Sequence, residues 1–450
     1  MERNGIFSIS ILIGLLCFAS VAHSQRHSSY NGLVMAGYQG WFNTPDDGTG
    51  RNWRHYGGKQ GFKPGSCSVD FWADVSEYKK VYKTDFVHKD GTSAYTFSSY
   101  DYSTVDLHFS WMKEYDIDGA FMQRFVSEIK RPLGKDHFDK VLSSAFSVSE
   151  KYDRAVCIMY DLSGMQPGDD RILLNDIDSI ERKNKIKEGN LASYLYHNGK
   201  PLVAVWGAGF DDKRKYGLSD VDKIVNGLRE RGYSILIGVP TYWRELKNDA
   251  VTDSNLHRVI KKCDIVLPWF VGRYNEKNYL DFAELIDKDI EWCKENKIDY
   301  APVCYPGFSW RNMRGKNSFY VARNSGNFLW KQFYLKIKLG AQMIYVAMFD
   351  EIDEGTAIFK CANRSAVPLN EIHFDGIEDN LPTDHYLWIT GIAGKMLRKE
   401  IPLAEKIPLR VVQGTGYRVQ GERQTANDFI AFYPVPCTLY LVPNKLLFSL

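Results

Sequence analysis

Eight short apolar runs, each followed by a stretch of helical periodicity, set the limits on what this chain can fold into. The runs span residues 33–42, 119–125, 155–160, 201–206, 234–239, 264–270, 300–305 and 343–349. Between and after them lie helical patterns at 104–115, 137–152, 176–197, 221–231, 255–262, 280–296, 328–339 and 385–398. The runs are continuously apolar rather than alternating, as expected of parallel strands buried on both faces. Strands that alternate with helices argue for a parallel sheet, and eight such units predict an α/β fold, a (β/α)8 TIM barrel with long βα loops. From Pro402 the alternation stops, and short β-like segments at 411–412, 429–434 and 439–442 predict a β-rich C-terminal extension. The expected organisation is a signal peptide at 1–24, a barrel domain at 25–405 and an extension at 406–450.

Charge and cysteine usage narrow the function. With 57 basic and 55 acidic residues the formal net charge is +2. That balance provides neither the basic footprint of a nucleic-acid binder nor a polybasic membrane patch. Arg3, the apolar run 6–21 and Ala22-His23-Ser24 have the pattern of a cleaved export signal. Export predicts a secreted or periplasmic protein with no membrane span in the mature chain; a monomer is expected. Cys17 follows Leu16 rather than a small residue, which argues against a lipid anchor. The remaining cysteines are scattered without a C-x-x-C pair, so no zinc site is expected. No cofactor is expected either.

The strongest chemical signal is Asp350-Glu351-Ile352-Asp353-Glu354, which places four carboxylates in five residues at the end of the eighth run. Such crowding has no packing rationale and suits either a solvated turn or a site that shifts carboxyl pKa values. In barrel enzymes the reactive groups sit at the C-terminal ends of the strands. The other strand ends carry Tyr38, Trp41 and His55 (first strand and its loop), Asp161 (third), Trp206 (fourth), Tyr242 (fifth), Trp269 (sixth), and Arg311 and Arg314 (seventh). Aromatic faces stack on sugar rings, and Arg, Asp and His bond hydroxyls directionally. A carboxyl pair then suits glycosidic bond cleavage, so Glu351 and Glu354, three residues apart, are the expected acid and base. Asp350 and Asp353 complete the substrate-binding set. A competing reading makes Asp350, Asp353 and Glu354 hard-oxygen ligands for Ca²⁺, although the spacing is not that of an EF-hand.

Two stretches resemble glycoside hydrolase family 99, the endo-α-mannosidases and endo-α-1,2-mannanases. One is Gly37-Tyr38-Gln39-Gly40-Trp41-Phe42-Asn43, continuing through Asp47-Gly48 to Trp53-Arg54-His55-Tyr56. It is similar to the aromatic opening strand and Trp-x-His-Trp loop of that family. The other is Phe349-Asp350-Glu351-Ile352-Asp353-Glu354-Gly355-Thr356. It is similar to the family's Phe-Asn-Glu-Trp-His-Glu-Gly-Thr. The resemblance covers roughly residues 30–400 and implies an oligosaccharide or polysaccharide substrate and a retaining mechanism without an enzyme nucleophile. By motif position, Glu351 would deprotonate the substrate 2-hydroxyl and Glu354 would be the general acid. Tyr38, His55 and Tyr242 would touch substrate, and either Arg311 or Arg314 would match a family arginine. Asp350, Ile352 and Asp353 replace the family's Asn, Trp and His, so the expected substrate is an α-linked glycan, either α-mannan-like or departing from α-mannan at the subsites those residues shape. A non-catalytic glycan-binding protein on a hydrolase-like barrel is the alternative.

Overall fold

The computed structural model describes residues 25–57, 60–371 and 373–410. The expected signal segment and most of the expected C-terminal extension lie outside the described residues. Eight parallel barrel strands run in chain order: Val34–Tyr38, Gly119–Phe125, Ala155–Asp161, Lys200–Trp206, Ser234–Pro240, Ile265–Trp269, a seventh in two halves (Asp299–Tyr300 and Val303–Cys304), and Ile344–Val346. Each pairs in parallel with the next, and the first strand also pairs with the eighth, Val34 opposite Ile344. The seventh strand closes the ring. Tyr300 pairs with Val266 of the sixth strand, and Cys304 pairs with Val346 of the eighth. Its two halves flank Pro302, which has no N–H to give and instead accepts one from Tyr345 at 3.1 Å. The α/β barrel expected from the alternation is therefore present.

The strands are buried along their length, those at Val34–Tyr38, Gly119–Phe125 and Ser234–Pro240 at every residue. This explains why they read as continuous apolar runs. At Gly119 a Cβ would sit 1.9 Å from the Ala155 carbonyl oxygen, so only glycine lets the second and third strands meet there. The stretch read as one helix over 176–197 is three elements. A helix runs Asp170–Asn184, a 3-10 turn runs Ile186–Glu188, and a short strand, Tyr196–His197, pairs antiparallel with the fourth barrel strand. Lys185 ends the helix in the left-handed conformation at φ 50°. Among the described residues no helix is long and apolar enough to cross a membrane, and Cys67, Cys157, Cys263, Cys293, Cys304 and Cys361 are buried free thiols.

The first βα connection is the long one. It contains an antiparallel hairpin, Tyr82–Val87 with Ser93–Thr96, and packs its own aromatic cluster of Tyr56, Phe62, Trp72, Phe86 and Phe97. This connection is laid over the eighth-strand loop. The N–H groups of Asp70 and Phe71 both donate to the Ile352 carbonyl, at 2.9 and 3.2 Å. The Asp70 carboxylate in turn accepts the N–H groups of Arg311 and Asn312, at 2.8 and 2.7 Å. Loops one, seven and eight are thus bound into one unit around the buried Ile352.

Arg124, at the end of the second strand, is fully buried. It donates to Asp176 through Nε and Nη2, at 2.7 and 2.6 Å, and to Asp139 at 2.7 Å. It fastens the barrel to the helix Asp170–Asn184. Removing one partner of a buried ion pair leaves the other charged and unpaired. Arg124→Leu should therefore lower the unfolding free energy by about 3–5 kcal/mol in urea titrations. The half-exposed partner makes a control: Asp139→Asn should cost under about 1 kcal/mol. Equal effects of the two would remove this account.

Candidate active site

The carboxylate cluster begins where the eighth strand hands over to its loop, and each acid is held differently. Asp350 is fully buried and accepts the backbone N–H groups of Gln39 and Gly40, at 2.7 and 2.8 Å. Those bonds pin the end of the first strand. They also aim the Gln39 side chain, whose amide Nε2 donates to Glu351. The second oxygen of Glu351 takes the Thr356 hydroxyl. Thr356 is brought back by a tight turn in which its N–H and that of Ala357 bond the Glu351 carbonyl, at 3.1 and 3.0 Å. Gly355 makes that turn at φ 66°, in the left-handed region that favours glycine.

Asp353 is buried against His55, with Nδ1 to Oδ2 at 3.2 Å. His55 lies flat on Trp41, ring centroids 3.8 Å apart and planes 3° from parallel. Glu354 is the most open of the four acids. Trp310 and Arg314 both lower its pKa, although the Trp310 indole N–H makes no hydrogen bond of ordinary geometry. Arg314 is exposed and stacks on the Trp310 ring at 3.6 Å.

Burial raises the pKa of all four acids. Asp350 and Glu354 are each pushed up to about 7, in both cases by desolvation first. Glu351 and Asp353 are also raised well above the usual carboxylate range by desolvation. For Glu351 the next causes are the charges of Glu354 and Asp353, so the two glutamates titrate as a pair. His55 is pushed down to about 3 by burial and by Arg54 and Arg51, so its ring is neutral. Asp161, at the end of the third strand, is also raised by burial, and its charge bears on Glu354 and on Tyr345.

Under Glu351 lies Tyr345, whose hydroxyl receives the Gln123 amide at 3.1 Å. It fits because residue 37 is glycine: a Cβ there would lie 2.0 Å from the Tyr345 hydroxyl. Trp269 packs on Tyr345 at 6.2 Å, and Trp206 packs on Trp269 at 5.3 Å. Among the described residues no group of three or more His, Cys, Asp or Glu is arranged to hold a metal ion.

Most of the expected site residues therefore gather at one end of the barrel: Glu351, Glu354, Asp353, His55, Trp41, Asp161, Trp206, Trp269 and Arg314. Four do not present themselves to a substrate there. Tyr38 is fully buried, with its hydroxyl bonded to His108 Nδ1 at 2.8 Å, and belongs to the core. Asp350 uses both oxygens on backbone and is a positioning residue. Arg311 turns to the Tyr320 ring and to Asp375, 3.4 Å away, so Arg314 is the arginine beside the acid. Tyr242 packs on Phe282 under Lys247, lining a groove with Arg244 and Leu285. Gln39, Thr356, Trp310 and Tyr345 are the additions. Gln39 and Thr356 lie inside the two motifs, but nothing in the order of residues says that both reach Glu351.

The fold has a counterpart among solved structures. An endo-α-mannosidase of glycoside hydrolase family 99 from Bacteroides thetaiotaomicron superimposes with a TM-score of 0.57 at 14% identity, covering 82% of this chain and 98% of that one. The same enzyme in complex with bis-tris-propane gives 0.56 at 15% identity, with the same coverage. This chain shares the fold of those structures. No protein-family model matches the sequence, and no curated protein does. The likeness is one of fold, and it extends over nearly the whole of the mannosidase chain.

Two measurements check this account of the site. Asp350→Asn turns one N–H donor toward a backbone N–H, and it should cost about 1–3 kcal/mol of stability. The acid cluster should also leave a pH signature. The folded chain holds the Glu354 proton up to about 7, whereas the ordinary value is 4.5. The folded state therefore binds more protons between those limits, and stability falls as pH rises through them. The drop in denaturation midpoint from pH 5 to pH 8 should be smaller in Glu354→Gln than in the wild type.

Proposed function

We propose that this protein is an exported, retaining glycoside hydrolase that cleaves an α-linked glycan with Glu351 as base and Glu354 as acid. The observation that carries the reading is the pair itself. Two glutamates three residues apart leave the eighth barrel strand, both desolvated, and the charge of Glu354 helps to raise Glu351. Environments that hold carboxyl protons near neutrality are what acid–base catalysis at ordinary pH requires. The barrel shared with an endo-α-mannosidase supports a sugar as the substrate, of an α-mannan-like kind.

The sequence of events follows the mechanism that the family resemblance implies. The amide of Gln39 and the hydroxyl of Thr356 point donors at Glu351 and favour its anionic form. Burial and the charges of Glu354 and Asp353 push the other way and hold the proton on Glu351 in the free protein, so the reaction requires that the substrate shift the shared proton to Glu354. Glu351 takes the proton of the sugar 2-hydroxyl, whose oxygen attacks the anomeric carbon. The glycosidic bond breaks as Glu354 gives its proton to the departing oxygen. An epoxide-like sugar results. Glu354, now a carboxylate, takes a proton from water, which attacks the anomeric carbon. The epoxide opens as Glu351 returns its proton to O2. Configuration is retained, and both glutamates end as they began.

Glu351→Gln and Glu354→Gln should each lower kcat/KM on an α-mannooligosaccharide panel by roughly 10²–10⁴. Turnover within threefold of wild type in either variant would sink the assignment. Glycan binding without turnover in the wild type would favour a non-catalytic binding protein. Loss of the Glu354 proton sets the basic limb of the pH profile near 7, and activity should fall above it. Arg314 lowers the Glu354 pKa, so Arg314→Met should move that limb to higher pH. The exposure of Arg314 keeps the shift to a few tenths of a unit.

A further inference from the structure

Beside the acid pair, on the side of the third and fourth strands, lies a groove that the proposed chemistry does not use. It has a volume of about 270 Å³ and runs between Ser163–Met165, just after Asp161, and the loop Asp212–Tyr216, after Trp206. At ~30 Å³ per water it holds roughly nine waters, room for part of a sugar ring with a substituent.

The groove is cationic. Lys213, Arg214 and Lys215 follow one another along one wall. The Arg214 guanidinium is neutralised by Asp212, with contacts of 2.9–3.1 Å. It lies over the rings of Trp206 and Phe210, at 4.9 and 4.6 Å. Lys213 and Lys215 are exposed, and neither ammonium has a hydrogen-bond or ion-pair partner among the described residues. Lys213 holds φ 63°, a conformation that lysine seldom adopts. Nearby acids do not cancel the field. Asp212 is spent on Arg214. Asp161 and Asp211 do not line the groove.

The groove also communicates with the chemistry. The Arg214 charge acts on Asp161, and that of Asp161 acts on Glu354. Trp206, under Arg214, is joined through Trp269 to Tyr345, beside Glu351. A glycan laid along this end of the barrel would pass from one to the other.

From these observations we infer that the Ser163–Met165/Asp212–Tyr216 groove is a subsite for a sugar bearing an anionic substituent, a carboxylate or a sulfate, recognised by Lys213 and Lys215. The inference rests on the glycosidase reading for the sugar and adds the charge of the substrate. Ammonium groups suit such a substituent as mobile point charges, and their contribution is screened by salt.

The test is binding, measured by calorimetry or ligand-observed NMR on the full chain, wild type and Lys213→Ala/Lys215→Ala. The probes are methyl α-glucuronide, mannose 6-sulfate, methyl α-mannoside and inorganic sulfate. At least one of the two anionic sugars should bind about tenfold tighter than methyl α-mannoside. That margin should shrink to within twofold in the double variant and in 0.5 M NaCl. Which of the two binds tighter separates a uronate from a sulfate. No preference for the charged sugars overturns the inference, as does a preference that survives loss of both lysines. Inorganic sulfate binding as tightly as mannose 6-sulfate also overturns it, leaving a bare anion site. Both lysines are exposed, so the double variant should fold normally. Binding also separates the two claims. Lysine-dependent binding without turnover of any glycan would sink only the hydrolase reading. Turnover of neutral glycans without a charge preference would sink only this one.

Discussion

The Asp350 carboxylate joins the two ends of the barrel ring. From the end of the eighth strand it takes two backbone N–H groups at the end of the first, so that Gln39 and Gly40 leave that strand along one path. The consequences spread from there. Gln39 is delivered to Glu351, and the aromatic stretch that follows places Trp41 against His55. The first connection then folds back over Ile352 and ties in the seventh loop through Asp70. Backbone donors favour its charged form but do not cancel the cost of burial, which pushes it up to about 7. It is the architectural member of a cluster whose members are all under strain.

That strain is electrostatic. Three further carboxyls share the low-dielectric end of the barrel with few cations close by, and their mutual repulsion adds to desolvation. The arrangement costs stability, and packing alone would favour neutral side chains. Proteins tolerate such an arrangement where reactivity needs it. The means of control are local: Gln39 and Thr356 on Glu351, Trp310 and Arg314 on Glu354, His55 on Asp353. The partners come from the first, seventh and eighth loops, so the site's electrostatics depend on those three loops closing together.

Much of this was legible in the sequence because burial on both faces writes itself as uninterrupted apolar runs. All eight strands were visible that way, and so was the carboxylate cluster at the end of the last. What was not legible came from interactions at long range. The break in the seventh strand follows from Pro302 lying where strands six and eight both need pairing. The charged stretch over 176–197 looked like one helix because Lys185 gives no warning that it will turn left-handed. Tyr38 sits in a motif beside Gln39 and Trp41, which reach the acid cluster, yet strand alternation sends its side chain outward to His108. Choosing between Arg311 and Arg314 required knowing that Asp375, from a distant loop, claims the first.

At 14–15% identity with the mannosidase structures the barrel is kept while most of the sequence differs. The residues that depart from the family motif are not on an open sugar-binding wall. Ile352 is the buried knot of three loops, Asp350 is bound to backbone, and Asp353 is packed under the Trp41–His55 stack. Changing them alters how the loops are held and how much negative charge bears on the glutamates. It does not directly redraw the surface a glycan meets. Selectivity must then be read mainly from exposed groups around the acids. On the seventh-strand side these are Arg314 and Trp310. On the third- and fourth-strand side they are Lys213 and Lys215, with the aromatic series Trp206–Trp269–Tyr345 between them and Glu351. This end of the barrel is therefore acidic at its centre and basic at two points of its rim. On the glycosidase reading proposed above, a glycan with anionic groups set away from its scissile bond would be drawn to the rim and kept off the carboxylates.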